Sequence, residues 1–264
     1  MAESTFRFED GAHTIVETWG DRGRALLCIH GMTSSRKAWV RLAARLSGTY
    51  RVIAYDQRGH GDSADVAGPM TLERQSADLA AVCASLDELP IALLGHSWGG
   101  AIAIVGGRRV GVRGVMAIDP VLRVVPGTFH ADYVEDAIAM ASLGRRERER
   151  MVRESYPWHP LDVEGKWHAI RSMTADPIVR LGSENRADEG GWNILDAVSG
   201  YPKPLLIFAA APADSVMSAQ DVAHARTEGG PNVRVTEYPS EGHNLHRTAF
   251  DAFAADVEGF LETL

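Results

Sequence analysis

Short apolar runs alternate with longer amphipathic stretches along most of the chain. Ala25-Leu26-Leu27-Cys28-Ile29 is apolar throughout, the pattern of a strand buried on both faces. Residues 50–55, 91–94, 112–118, 204–209 and 233–238 predict further strands. Residues 6–8 and 14–19 predict an antiparallel pair that opens the fold. Residues 71–86 have helical spacing, with Leu72, Leu79, Val82, Cys83 and Leu86 on one broad face. Residues 98–109, 218–227 and 248–264 predict helices as well. Strands that alternate with helices in this way predict an α/β protein built on a mostly parallel sheet.

Residues 121–201 break the rhythm, reading as several helices with no strand. Tyr133, Ala137, Met140 and Ala141 give one apolar stripe there, and Trp158, Trp167 and Trp192 fall in the same stretch. A helical insertion between two strands of a parallel sheet sits over the strands' carboxyl ends, where such sheets bind ligands. The expected division is therefore a core of residues 1–120 and 202–264 with a helical cap at 121–201. The mixed-sign run Arg145-Arg146-Glu147-Arg148-Glu149-Arg150 predicts a solvated helix face.

Composition narrows the partners. The 264 residues suit one large α/β domain or a core with an inserted subdomain, and 45% hydrophobic content suffices for a full core. Lys plus Arg number 27 against 35 Asp plus Glu, a net charge of −8 that argues against nucleic acid. Cys28 and Cys83 sit in apolar surroundings and are expected as small core residues. The first ten residues lack an apolar signal-peptide core, and no apolar run approaches ~20 residues, so no membrane span is expected. A cytoplasmic location is the corresponding expectation.

Candidate chemistry gathers at predicted strand ends. Gly95-His96-Ser97-Trp98-Gly99 fits the pattern Gly-x-Ser-x-Gly, with an apolar run before it and a helical one after. Such a turn can hold Ser97 in a strained conformation with its hydroxyl exposed, provided that neither glycine position carries a side chain. A serine needs a base, and His243, after Gly242 and beyond the last predicted strand, lies at the same sheet edge. A base needs an orienting carboxylate, and two compete. Asp214 follows the 204–209 strand, and Asp119 follows the 112–118 strand. An oxyanion hole needs two N–H groups. The amides of Trp98 and Met32 are the candidates, with Gly31 permitting the turn.

With these residues in place, the chain resembles the α/β-hydrolase superfamily over nearly its whole length. The matching residues run in family order. They are His30-Gly31 with Ser35 and Trp39, then Asp56-Gln57-Arg58-Gly59-His60-Gly61-Asp62-Ser63, then Gly95-His96-Ser97-Trp98-Gly99-Gly100, and finally Gly242-His243. The resemblance implies a twisted, mostly parallel sheet of about eight strands flanked by helices, with a helical cap insertion. It assigns a structural role to residues 56–63. In most of the family the acid follows the strand equivalent to 204–209, which favours Asp214; Ala210 stands where a glycine is usual and one extra residue precedes Asp214. Some relatives take the acid from the position of Asp119, so both stay open.

The resemblance further implies acyl transfer without metal or organic cofactor. Ser97 attacks, His243 acts as base, and Met32 and Trp98 hold the oxyanion. The expected reaction is hydrolysis of a carboxylic ester or lactone. Carbon–carbon hydrolysis, amide or thioester cleavage and cofactor-free perhydrolysis are the enzymic alternatives, and a non-catalytic small-molecule receptor is the non-enzymic one. Gly31, Trp98, Met140 and Trp192 are the expected substrate-binding residues, around an apolar, partly covered pocket for a small or medium apolar ester or lactone.

Overall fold

A computed structural model describes residues 1–64, 68–124, 130–186 and 191–264, with the side chains of 130–134 outside the description. The continuous apolar run becomes β3 (Ala25–Ile29), every residue of it buried. Around it stand β1 (Ala2–Arg7), β2 (His13–Trp19), β4 (Arg51–Tyr55), β5 (Ala92–His96), β6 (Gly114–Ile118), β7 (Leu205–Ala210) and β8 (Val233–Tyr238). Among the described residues these form one eight-stranded sheet in the order β1-β2-β4-β3-β5-β6-β7-β8. β2 runs antiparallel to both β1 and β4, and every pairing from β4 to β8 is parallel.

The two-residue period of the strands divides the interior into two layers. Leu27 and Ile29 of β3, Leu93 of β5, Val115 and Ala117 of β6, and Leu205 and Ile207 of β7 point to one face. There they meet α2 (Leu72–Ser85), α3 (Trp98–Gly107) and α8 (Ala219–Glu228). Leu26, Cys28, Leu94, Met116, Ile118, Leu206 and Phe208 point to the other. Those pack on α1 (Val40–Leu46) and α10 (Phe250–Glu262). Helices on both faces make β3 to β7 apolar at all but two positions, Arg51 and His96, which is why alternation is absent from their sequences. Both cysteines are buried and free.

Helix starts follow local chemistry. Thr71 accepts a hydrogen bond from Arg74 N at 3.2 Å and opens α2. Ser218 and Asp221 form a reciprocal capping box at the start of α8. Among the described residues four α-helices lie between β6 and β7: α4 (His130–Ser142), α5 (Arg145–Ser155), α6 (Pro160–Ile170) and α7 (Asp176–Glu184). They share a small cluster of their own, built on Ala137, Val152, Ile170, Met173 and Ile178, with Met140 packed against it. Tyr133 lies outside the described side chains. The run 145–150 forms the first part of α5 and is mostly exposed, but Arg148 is not simply solvated. Its guanidinium donates to the carbonyls of Ala141, Leu143, Ile170 and Met173, tying three helix ends together.

The chain passes from β3 to β4 on one side and then crosses to β5 on the other side of β3, so the strand order reverses there. The crevice at the carboxyl ends of β3 and β5 is where an open parallel sheet accommodates ligands. The loop after β3 and the turn after β5 meet there, and a short α9 (Leu245–Thr248) closes the edge beyond β8.

Candidate active site

The turn after β5 is compressed. Ser97 has φ 56° and ψ −118°, an unfavourable conformation for a residue with a Cβ. Main-chain bonds hold it there. Ser97 N donates to Ile118 O at 2.8 Å, and Ser97 O accepts from Gly100 N at 2.9 Å. The flanking glycines have no room for a side chain. A Cβ on Gly95 would lie 2.1 Å from Gly99 O, and one on Gly99 would lie 2.3 Å from His30 O. Ser97 thereby heads α3, and Trp98, the first residue of that helix, has no intrahelical acceptor for its N–H.

On the opposite wall, residues 30–34 are pinned to the loop after β4. Gln57 N donates to His30 Nε2 at 3.0 Å, which leaves Nδ1–H to donate to Gly31 O at 2.8 Å. Burial pushes the His30 pKa well below the ordinary histidine value, in keeping with this neutral tautomer. Gly31 packs directly on the serine turn, since a Cβ there would come within 3.1 Å of Ser97 Cβ. Residues 56–63 serve as anchors. Asp56 accepts from the Arg36 main chain and guanidinium and from Asp62 N. Arg58 forms a two-pronged pair with Asp78 at 2.6 and 2.9 Å.

His243 emerges from the loop after β8 and donates Nδ1–H to Asp119 Oδ2 at 2.7 Å. Asp119 is fully buried, with φ 40°, at the end of β6. Its carboxylate also accepts from Ser215 Oγ and from Val216 N, the latter at 3.0 Å. Asp214, favoured from sequence, is exposed and meets His243 through its main chain, Asp214 O accepting from His243 N at 3.0 Å. A tight turn from Ala211 O to Asp214 N directs its side chain outward. The loop that was expected to deliver the carboxylate instead delivers two donors to another one.

Ser97 and His243 line one cavity of about 90 Å³ together with Met32, Thr33, Ser34, Tyr156, Lys166 and Arg247. Ser97 Oγ makes no hydrogen bond among the described residues, and serine–imidazole contacts are commonly loose until substrate is bound. Two histidines outside the expected set support the site. His96 donates Nε2–H to His243 O at 2.9 Å, and its ring packs at a tilt, 4.6 Å from that of His243 and 4.3 Å from that of His246. Burial pushes the pKa of both His96 and His246 well below the ordinary value.

The expected substrate-binding residues have the following surroundings. Trp98 Nε1–H donates to Gln75 Oε1 at 3.1 Å, and its indole packs at a tilt 4.8 Å from that of Trp192. Trp192 in turn donates to Val121 O. Met140 packs among the helices α4–α7. None of these, nor Gly31, belongs to the lining of this cavity. Nor is that lining apolar, as expected, because α6 and α9 each bring a cation to it, Lys166 and Arg247. No signal in the sequence marked either, because their placement depends on how α6 and α9 pack. Among the described residues there is no cluster of three or more His, Cys, Asp or Glu side chains suited to a metal, and no helix long and apolar enough to cross a membrane.

Comparison with known proteins agrees with this architecture. Residues 26–256 match the family model of the alpha/beta hydrolase family. The chain belongs to that family. It is 39% identical over 92 residues to a non-heme haloperoxidase of Rhodococcus erythropolis, an alignment covering 34% of this chain and 33% of that protein. The match therefore spans about a third of that relative's length. It is 25% identical over 255 residues to N-formylmaleamate deformylase of Pseudomonas putida, covering 92% of this chain and 91% of that one. Among solved structures, E-2-(acetamidomethylene)succinate hydrolase superposes with a TM-score of 0.77 at 22% identity, covering 99% of this chain and all of the other. An esterase from Rhodococcus sp. ECU1013 superposes with the same TM-score at 20% identity, covering all of both chains.

Proposed function

We propose that the protein is a serine hydrolase that cleaves a carboxylic ester or lactone through an acyl-enzyme. The observation that carries this reading is the strained Ser97 at the head of α3, sharing a cavity with a histidine whose far nitrogen is tied to a buried carboxylate. Ser97 Oγ attacks the carbonyl carbon while His243 takes its proton. Asp119 holds the ring in the tautomer that leaves Nε2 open to that proton, and stabilises the imidazolium once formed. The Trp98 and Met32 amides receive the developing oxyanion. The tetrahedral intermediate collapses, His243 protonates the departing alcohol, and water repeats the sequence on the acyl-enzyme to release the acid. We assign the orienting role to Asp119 rather than Asp214 on the strength of its carboxylate contact with His243 Nδ1, whereas Asp214 meets His243 through its main chain. The helices of 121–201 act as the cap over this edge of the sheet.

Cleavage of an amide is the second reading. It is favoured by the similarity to the deformylase, which extends along 92% of the chain. The same residues serve, with His243 protonating a nitrogen leaving group. Turnover of 4-nitrophenyl acetate, with the Ser97→Ala variant as control, tests the reading. Hydrolysis abolished by that substitution supports it, and equal hydrolysis by both proteins excludes it.

A further inference from the structure

Lys166 is the least expected residue in the cavity. It sits on α6, where Gly165 lets the helix touch the turn at residues 36–39; a Cβ on Gly165 would lie 2.5 Å from Lys37 O. This close approach carries the Lys166 side chain inward, where the residue is only 7% exposed. Nζ donates to Thr33 O and Thr33 Oγ1, each at 3.1 Å, and lies 5.7 Å from the centroid of the Tyr156 ring. Two oxygens of one residue and a π face thus meet an ammonium with three donors.

Thr33 is itself unusual. Residues 31–34 form a turn closed by Ser34 N, which donates to Gly31 O at 3.2 Å. Thr33 is the third residue of that turn and has φ 58°. A positive φ at this position ordinarily selects glycine or asparagine, and a β-branched residue there is strained. Such strain persists only where the surroundings over-determine it. Its ordinary relief is a return to negative φ, which rotates the central peptide of the turn, Met32–Thr33. Met32 carries the amide assigned to the oxyanion. Lys166 grips Thr33 by its carbonyl and its hydroxyl together, so main chain and side chain are both held.

The helix does not depend on this grip for its place. Asp162 of α6 pairs with Arg41 at 3.0 Å, and the His168 ring meets Ser35 Oγ at 3.1 Å. Just past the helix end, Ser172 Oγ–H donates to Gly61 O at 2.9 Å. The contact of Lys166 with Thr33 therefore acts on the turn, and that turn packs on Ser97 through Gly31.

We propose that Lys166 is a positioning residue: reaching from α6, it holds Thr33 in its left-handed conformation and so keeps the Met32 amide aimed at the carbonyl oxygen of a substrate on Ser97. This rests on the proposed Ser97 chemistry and adds to it a cap residue that sets the oxyanion loop.

The test introduces Lys166→Met, which keeps most of the stem and removes the donors, into the unsubstituted protein and into Thr33→Gly. Two quantities are read: kcat/KM for 4-nitrophenyl acetate and Ki for 1,1,1-trifluoroacetone. The ketone forms a tetrahedral adduct. Ser97 Oγ bonds its carbonyl carbon, the C=O π pair moves onto oxygen, and the hydroxyl proton passes to His243. That oxygen calls on the same amides as the reaction, so Ki follows the oxyanion loop. Lys166→Met should lower kcat/KM about tenfold or more and raise Ki by a similar factor, short of the roughly 10²–10³ that follows outright loss of a donor. In Thr33→Gly, where glycine takes a positive φ without strain, the same substitution should change either quantity by less than about threefold. Thr33→Val, which lacks only the acceptor hydroxyl, should move both quantities in the direction that Lys166→Met does. If neither quantity moves in Lys166→Met or in Thr33→Val, whatever the change in Tm, Lys166 is a structural contact and the proposal is overturned. A fall in kcat/KM with Ki unchanged, or a full loss that persists in Thr33→Gly, overturns it as well. Equal hydrolysis of the acetate by Ser97→Ala would count against the underlying chemistry itself.

Discussion

Asp119 Oδ2 receives the Nδ1–H of His243 at 2.7 Å, across 124 residues of sequence. The contact is possible because β6 and the loop after β8 end at the same sheet edge. It is reinforced by Ser215 and Val216, which donate to the same carboxylate. Substituting Asp119 by Asn should lower kcat by about 10⁴, because the amide no longer selects the competent imidazole tautomer. Asp214→Asn should stay within about threefold of the unsubstituted protein, a rate change worth under 1 kcal/mol. Steady-state hydrolysis of a 4-nitrophenyl ester measures both, and the reverse order would return the role to Asp214.

The serine turn makes a prediction about folding. Gly99→Ala pushes a methyl group against His30 O and Ile29 O, both main-chain atoms of β3 and its loop. The backbone there is held by sheet pairing and cannot retreat cheaply. The expected result is loss of at least about 1–3 kcal/mol, the cost of overpacking. Thermal unfolding of purified protein reads it, and an unchanged Tm would show that the contact relaxes.

Acid should destabilise the fold through its buried histidines. His30, His96 and His246 have their pKa values pushed well below the ordinary one by burial. In the unfolded chain each titrates near 6.5. Below that pH the unfolded state binds protons that the folded state refuses. Stability is therefore complete above about pH 6.5 and declines as pH falls, by up to about 1.4 kcal/mol per pH unit for each histidine. Denaturant midpoints between about pH 8 and about pH 5 test the slope, which His246→Met should reduce. A flat profile would contradict it.

Arg36 holds a buried charge cluster beside the oxyanion loop. Its guanidinium pairs with Glu17 at 3.1 Å and with Asp56, and both carboxylates are inaccessible to solvent. Arg36→Met removes the guanidinium between the two anions, leaving Asp56 its main-chain donors and Glu17 its pair with Lys37. Breaking such a cluster from one side costs about 3–5 kcal/mol. A denaturant titration should show a loss of that order, and a loss under about 1 kcal/mol would indicate a redundant cluster.

The sequence was legible where one local rule decides the outcome. β3 follows from five successive apolar residues, and the serine turn from glycines that leave no room for a side chain. The choice between Asp119 and Asp214 turned instead on the path of residues 211–218. One tight turn there sends Asp214 outward and leaves Ser215 and Val216 facing inward, which no spacing rule encodes. The partner of the Trp98 indole nitrogen, Gln75 of α2, is likewise set by helix packing and not by local spacing. Lys166 lies in a helix with nothing distinctive around it. Only the packing of Gly165 on Lys37 O brings its ammonium to Thr33.

If Ser97 is the nucleophile, it is the group that a fluorophosphonate modifies, and intact-protein mass spectrometry after such treatment reads this out. A single adduct is expected, mapped to the peptide containing Ser97, absent from Ser97→Ala and formed far more slowly in Asp119→Asn. No adduct, or one that persists in Ser97→Ala, would contradict it.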